Sequence, residues 1–292
     1  MLGHGIMKPT DRRWIGSYLV LALLFATHGH VAAAEQSLKD SNGYTVTREF
    51  LGHRDDSSKR IEVYWAKPSG PAPWPTVVLI HGHQTEKDAG GGKVYLTYGT
   101  LGRLAENGYL VLSVSQPGYG GSDGPADFCG PFTQDAVYSV IEHFVGSGQI
   151  AARRVAIYGV SRGAIVAGLV AARYASQVRA VVLQSGAYDL STAYPTQRGG
   201  LNRNIEKEAG TSAEAFETRS LIPHADKLDA AVLIVHGEND QVFPVEQATT
   251  LRDTLTSLGL PVETEIVEGA GHNVRTKALR KMLMGFLAEH LK

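Results

Sequence analysis

Gly159-Val160-Ser161-Arg162-Gly163 follows the apolar run Val155-Ala156-Ile157-Tyr158 and opens a small-residue helix pattern from Ala164 to Ala175. Strand, sharp turn and helix in that order make G-x-S-x-G a nucleophile elbow, in which a serine hydroxyl is held exposed above a sheet. The two glycines have a physical job: a Cβ at either would strike the neighbouring strand or helix in so tight a turn. In a chain with 33 glycines the bare pattern is weak, so its surroundings must decide.

Upstream, Thr76-Val77-Val78-Leu79-Ile80 reads as a buried strand running into His81-Gly82-His83-Gln84. A loop at that position can supply one amide of an oxyanion hole, and the residue after the nucleophile supplies the other. The backbone N–H groups of His83 and Arg162 are therefore the candidate donors, fixed before the reaction and aimed at charge that develops in the transition state. His81 reads equally as packing beneath the loop, and His83 as a surface residue. No third ligand follows His81-x-His83 at a recognisable spacing, so a metal is not expected. Downstream, the strand pattern Val232–Val235 leads into His236-Gly237-Glu238-Asn239-Asp240, and Glu263–Val267 leads into Glu268-Gly269-Ala270-Gly271-His272. Each ends in a turn at a strand's carboxyl end, where an acid and a base can reach over the sheet edge. Asp189, also after a strand, is the fallback acid.

The order Ser161, Asp240, His272 is that of the α/β-hydrolase superfamily. Within it, the chain resembles the catalytic domain of the prolyl oligopeptidase and dienelactone hydrolase-like group over roughly residues 75 to 290. Ser220-Leu221-Ile222-Pro223 and the stretch from Leu233 to Pro244, followed by Gly271-His272, carry the resemblance; the family's H-G-x-x-D-x-x-V/F-P signature holds its catalytic aspartate. The resemblance implies Ser161 as nucleophile, His272 as base and Asp240 as orienting acid. Gln116-Pro117-Gly118-Tyr119-Gly120-Gly121-Ser122 resembles the family's D-x-x-G-x-G-x-S loop, with Ser115 where aspartate is usual. In prolyl oligopeptidases a β-propeller gates access to peptides, and none precedes this hydrolase segment, which shifts the expectation from peptides to esters.

The expected function is hydrolysis of a carboxylic ester through an acyl-enzyme, with a small exopeptidase or amidase as the alternative. A non-catalytic binding protein on a hydrolase scaffold would lack the serine, the histidine or the oxyanion motif. The substrate is a small ester or short peptide, and no cofactor is needed.

The first 34 residues read as a secretory signal peptide. Lys8, Arg12 and Arg13 form a basic region, Ile15 to Ala26 is a short, mostly apolar run, and Ala32-Ala33-Ala34 offers a cleavage site. The run is too short for a comfortable membrane span, although an uncleaved anchor is the competing reading. The expected product is periplasmic or secreted, spans 35–292, and holds 25 basic against 28 acidic residues. No basic stripe argues for nucleic acid. Cys129, the single cysteine, has no partner for an internal disulfide and reads as a buried small hydrophobe.

Alternation of runs predicts a mostly parallel eight-stranded sheet with helices on both faces. Tyr44–Leu51 and Arg60–Ala66 read as an antiparallel hairpin, followed by strands at Thr76–Ile80, Tyr109–Val114, Val155–Tyr158, Ala180–Gln184, Ala231–Val235 and Glu263–Val267. Thr85 to Gly92, polar and glycine-rich, reads as a rim of the site. Residues 186–218 read either as a short cap or as an ordinary surface excursion; as a cap, they would offer Tyr188, Tyr194, Arg198 and Arg203 for substrate contact. Arg162 suits either an anionic substrate or a neighbouring carboxylate.

Overall fold

The chain enters the sheet through three antiparallel strands, β1 (Gln36–Lys39), β2 (Thr45–Gly52) and β3 (Arg60–Ala66). Six more follow: β4 (Thr76–Ile80), β5 (Leu110–Val114), β6 (Val155–Val160), β7 (Val178–Gln184), β8 (Ala231–Gly237) and β9 (Val262–Val267). The computed structural model describes residues 35–292 apart from 86–88, 152 and 195–199. The signal-peptide expectation lies outside the described residues. Among them, nine strands form one sheet in the order β1-β2-β3-β5-β4-β6-β7-β8-β9. The expected eight strands thus become nine. The extra one, β1, has only four residues, mostly exposed, so it carried neither an apolar run nor a clear alternation.

From β5 to β9 all pairings are parallel, and β3 joins β5 antiparallel. Parallel strands covered on both faces must be apolar at successive positions, and all five residues of β4 and of β5 are buried. Their side chains nevertheless divide by parity. Val78, Ile80, Leu112 and Ile157 face one core; Val77, Leu79, Val111 and Ala156 face the other.

Helices α1 (Lys93–Thr97) and α2 (Thr100–Glu106) follow β4, α3 (Pro131–Gly146) follows β5, and α4 (Arg162–Arg173) follows β6. After β7 come α5 (Leu190–Ala193), α6 (Gly200–Glu208), α7 (Ala213–Glu217) and a 3-10 turn at Ile222–Lys227. The chain ends with α8 (Glu246–Ser257) and α9 (Lys277–Leu291). Phe144 of α3, Leu169 of α4 and Leu251 of α8 fill the first core, while Leu104 of α2 and Leu283 and Leu287 of α9 fill the second. In α9 the buried residues Leu279, Leu283, Phe286 and Leu287 recur at helical spacing, which is why that face turns to the sheet. Among the described residues no helix is long and apolar enough to cross a membrane. The site therefore rests on a sheet braced from both sides, with its loops at the carboxyl ends of β4, β6, β8 and β9.

Candidate active site

Ser161 sits between β6 and α4 with φ of 56°. A non-glycine residue at positive φ costs on the order of 1–3 kcal/mol and persists only where its surroundings enforce it. Enforcement comes from both flanks. A Cβ on Gly159 would collide with the Gly163 backbone, and one on Gly163 with the carbonyl oxygens of Ile80 and His81. Helix and strand can approach this closely only because both positions are glycine.

The Ser161 Oγ lies 2.8 Å from His272 Nε2, and His272 Nδ1 lies 2.8 Å from Asp240 Oδ2. With Nδ1–H donating to the carboxylate, Nε2 is left to accept the serine proton. Asp240 is nearly fully buried. Burial opposes its ionisation, but hydrogen bonds from His236 and His272, the His272 charge and the Phe243 amide outweigh it and hold the carboxyl well below the usual range. Its Oδ1 accepts the N–H groups of Val242 (2.8 Å) and Phe243 (3.0 Å), which orients Oδ2 toward the histidine.

A second histidine meets that carboxylate. His236 Nε2 lies 3.2 Å from Asp240 Oδ2 and donates to the Phe243 carbonyl at 2.9 Å, with the ring fully buried. Its part was missed in the sequence, although it opens the very H-G-x-x-D run that marks Asp240.

The loop after β4 is fixed by its own first residue. The Gln116 N–H donates to His81 Nε2 (3.1 Å), so the His81 proton is on Nδ1, which donates to the Gly82 carbonyl (2.8 Å). A planar trans peptide then directs the His83 N–H the opposite way. Gly82 itself lies against Ser161: a Cβ there would come within 3.2 Å of the serine Cβ. Arg162 opens α4, where the first amides lack intrahelical acceptors. Among the described residues neither the His83 nor the Arg162 N–H donates to a protein acceptor. Both His81 nitrogens are engaged, so that ring has no lone pair to offer a metal. Burial, reinforced by the Arg162 charge, pushes His81 down to about 4 despite its bond to Gly82.

Gln84 closes the rim, its amide donating to the Gly91 carbonyl (3.0 Å) and accepting the Gly91 N–H (2.8 Å). The glycine-rich loop is held by a carboxylate from elsewhere in the chain. Ser115 stands where the resemblance has aspartate, and its hydroxyl donates to Glu62 Oε2 of β3 at 2.6 Å. The same carboxylate accepts the Gly121 N–H (3.0 Å) and the Tyr64 hydroxyl (3.0 Å), and pairs with Arg48 at 2.6 Å. Glu62 is buried, yet every oxygen has partners.

Of the two readings of Arg162, the structure selects the neighbouring carboxylate. Its guanidinium is buried and pairs with Glu208 Oε2 at 2.7 Å, with Gln116 and the Tyr119 hydroxyl 3.3 Å away. Glu208 belongs to α6, and Asn204 of the same helix donates to His83 Nε2 at 3.4 Å. Leu201, one turn earlier, lines the cavity at Ser161. The segment after β7 thus brings α6 against both candidate oxyanion residues. Its other expected contacts lie elsewhere. Tyr188 is fully buried in the core and accepts the Gly186 N–H, so the expectation that it meets substrate is corrected. Tyr194 donates to Glu206 and packs on Phe216, and exposed Arg203 does not line the cavity. Arg198 lies outside the described residues. Asp189 caps α5 through the Ser191 N–H, which occupies the fallback acid. Cys129 is buried, its thiol pushed up to about 12 by burial.

The triad opens on a cavity of about 850 Å³, within the range of small-molecule sites. A buried carboxylate, an imidazole whose Nε2 meets the serine hydroxyl, a strained serine and two amides without a protein acceptor among the described residues together equip this cavity for acyl transfer.

Comparison with known proteins agrees with that chemistry. The chain is 28% identical over 189 residues to the uncharacterized peptidase YtmA of Bacillus subtilis (strain 168), covering 63% of this chain and 73% of that one. Its fold is similar to a puromycin-hydrolyzing peptidase of Mycobacterium tuberculosis (TM-score 0.72, 19% identity), across 85% of this chain and 40% of that one. This chain thus spans less than half the length of that peptidase. It is also similar in fold to an acetyl xylan esterase from Paenibacillus sp. R4 (TM-score 0.68, 16% identity), with 88% of each chain covered. The sequence profile of the prolyl oligopeptidase family matches residues 131–292, more than half of the chain and the whole stretch from α3 through the triad. The chain belongs to the prolyl oligopeptidase family.

Proposed function

We propose that this hydrolase cleaves carboxylic esters of small molecules through an acyl-enzyme. The observation that carries the chemistry is the continuous Ser161–His272–Asp240 relay, with both contacts at 2.8 Å. His272 takes the Ser161 proton as the hydroxyl attacks the acyl carbon, and Asp240 stabilises the imidazolium that forms. The His83 and Arg162 amides receive the oxyanion. The protonated His272 then gives its proton to the leaving alcohol. Water attacks the acyl-enzyme by the same route, and the acid departs.

The preference for esters is supported by what lines the cavity. Its charged side chains are arginines, and among the described residues no Asp or Glu lines it to receive a free α-amino group. The match to an esterase over 88% of both chains points the same way. A peptidase is the second reading, favoured by the family and by the curated relative.

Turnover of p-nitrophenyl acetate and of an aminoacyl-p-nitroanilide, each beside Ser161→Ala, separates them. Ester turnover that drops by about 10⁴-fold or more in the variant, with the anilide untouched, is the expected result. Anilide turnover lost in the variant would move the assignment to peptidase.

A further inference from the structure

Beyond Ser161 the cavity continues into a cleft bordered by α1 and α2 on one side and by residues 273–284 on the other. Its apolar lining comes from Tyr95, Leu104, Val274, Leu279, Leu283 and Met284, beside the polar Thr100, Asn107, Asn273 and Thr276. Its remaining cations are Arg103, Arg275 and Arg280, all exposed. The chain holds 29 acidic residues, yet none of those described lines this cavity. Nor does any of the three arginines form an ion pair among the described residues.

Two of the three converge on one residue. Arg103 donates to the Tyr98 carbonyl at 2.7 Å and to the Thr100 hydroxyl at 3.1 Å. Arg275 lies over the Tyr98 ring, 5.1 Å from its centre. Tyr98 is itself half exposed, one of few large apolar side chains so open. Among the described residues these guanidinium groups have no carboxylate partner, and a cleft lined by one sign of charge concentrates the opposite sign.

We propose that this cleft is a substrate subsite for an apolar arm ending in an anionic group, a carboxylate in the simplest case. The arm would lie along the cleft's apolar lining, and the anion among Arg103, Arg275 and Arg280. Arg162 takes no part, because Glu208 already neutralises it. The reaction is unchanged: water adds across the acyl bond, one acid and one alcohol leave. For its chemistry the proposal rests on the serine-hydrolase reading of Ser161; for the ligand it rests on the cleft alone.

The test begins with binding, which needs no turnover. Titration calorimetry of Ser161→Ala protein with decanoate and with 1-decanol, below their aggregation limits, should show decanoate bound about tenfold tighter or more. The preference should shrink with added salt and disappear when Arg103→Gln, Arg275→Gln and Arg280→Gln are combined. Arg252→Gln, a single Arg-to-Gln change on α8 and matched to each single substitution in the cleft, should leave it intact. Near-UV circular dichroism verifies folding, and the three single substitutions, each weakening decanoate, stand in if the combination fails to fold. Equal affinity for the two probes overturns the proposal. So does a preference that survives in the triple variant, which would put the carboxylate in the oxyanion hole. On the wild-type enzyme, p-nitrophenyl hydrogen sebacate should exceed p-nitrophenyl decanoate in kcat/KM if the arm is on the acyl side. The acetate ester of 10-hydroxydecanoate should exceed decyl acetate if it is on the alcohol side. No preference in either series also overturns the subsite, whereas p-nitrophenyl acetate left intact would refute the esterase reading without touching the binding result.

Discussion

His81 turns a two-way reading into one physical role. It is buried, but its two nitrogens are spent on setting the peptide between Gly82 and His83, so the ring is a brace for the amide beside Ser161. That brace works only while the ring is neutral, because Nε2 must accept the Gln116 N–H. In the unfolded chain the imidazole takes up a proton below about 6.5; in the folded chain it stays neutral down to about 4. Between those values the unfolded state binds more protons, so stability falls as the pH falls, by about 3 kcal/mol when fully expressed. Asn at this position retains a donor for the Gly82 carbonyl and does not titrate. Denaturant unfolding at pH 7 and pH 4.5 should therefore show His81→Asn losing about 2 kcal/mol less than the wild type on acidification. Equal losses in the two proteins would show that the proton goes elsewhere.

At the scale of elements, α6 is the piece whose place sequence could only pose as a question. Nothing in its apolar pattern marks it as part of the site; the link is made by Glu208 to Arg162 and Asn204 to His83, two contacts across distant parts of the chain. The elbow was legible because glycine spacing is a local steric demand. The strands were legible because burial on both faces requires apolar runs, and β1 was not because it buries little. Long-range polar pairs leave no such trace in one sequence. Tyr188, Tyr194 and Arg203 fit a cap by position alone, and packing sent them elsewhere. Breaking a buried pair by removing one partner leaves the other charge uncompensated, at a cost of about 3 kcal/mol. Glu208→Gln should lower stability by about that amount and expose α6 to limited proteolysis ahead of the rest of the chain. An unchanged melting temperature with unchanged cleavage would mean that α6 is held by its apolar face, where Ile205 is buried.

Over the whole molecule, two layers of helix brace one sheet, and every group of the triad and its amide donors comes from the carboxyl end of a strand. Four loops far apart in sequence are thereby held to a common frame, so motifs at the ends of strand patterns, taken in chain order with the family resemblance, were enough to indicate the triad. The charge of the cavity was not legible in this way. A chain with nearly balanced charges overall brings arginines without an ion pair among the described residues to the two sides of one cleft only once α2 and α9 are folded beside each other.

Glu62 sets a practical limit on how this protein can be shortened. The family match begins at residue 131, and the resemblance in sequence at about residue 75. Either boundary invites an expression fragment without the first three strands. Such a fragment would discard Glu62 and Arg48, and with them the carboxylate that receives Ser115 and the Gly121 amide. Glu62→Ala in the full chain should therefore cost about 3 kcal/mol or more, measured by denaturant unfolding; a loss below 1 kcal/mol would mean the loop stands without it. If that loss is observed, a working fragment has to reach back at least to Arg48, because a chain cut at the family boundary lacks the carboxylate that anchors its own glycine-rich loop.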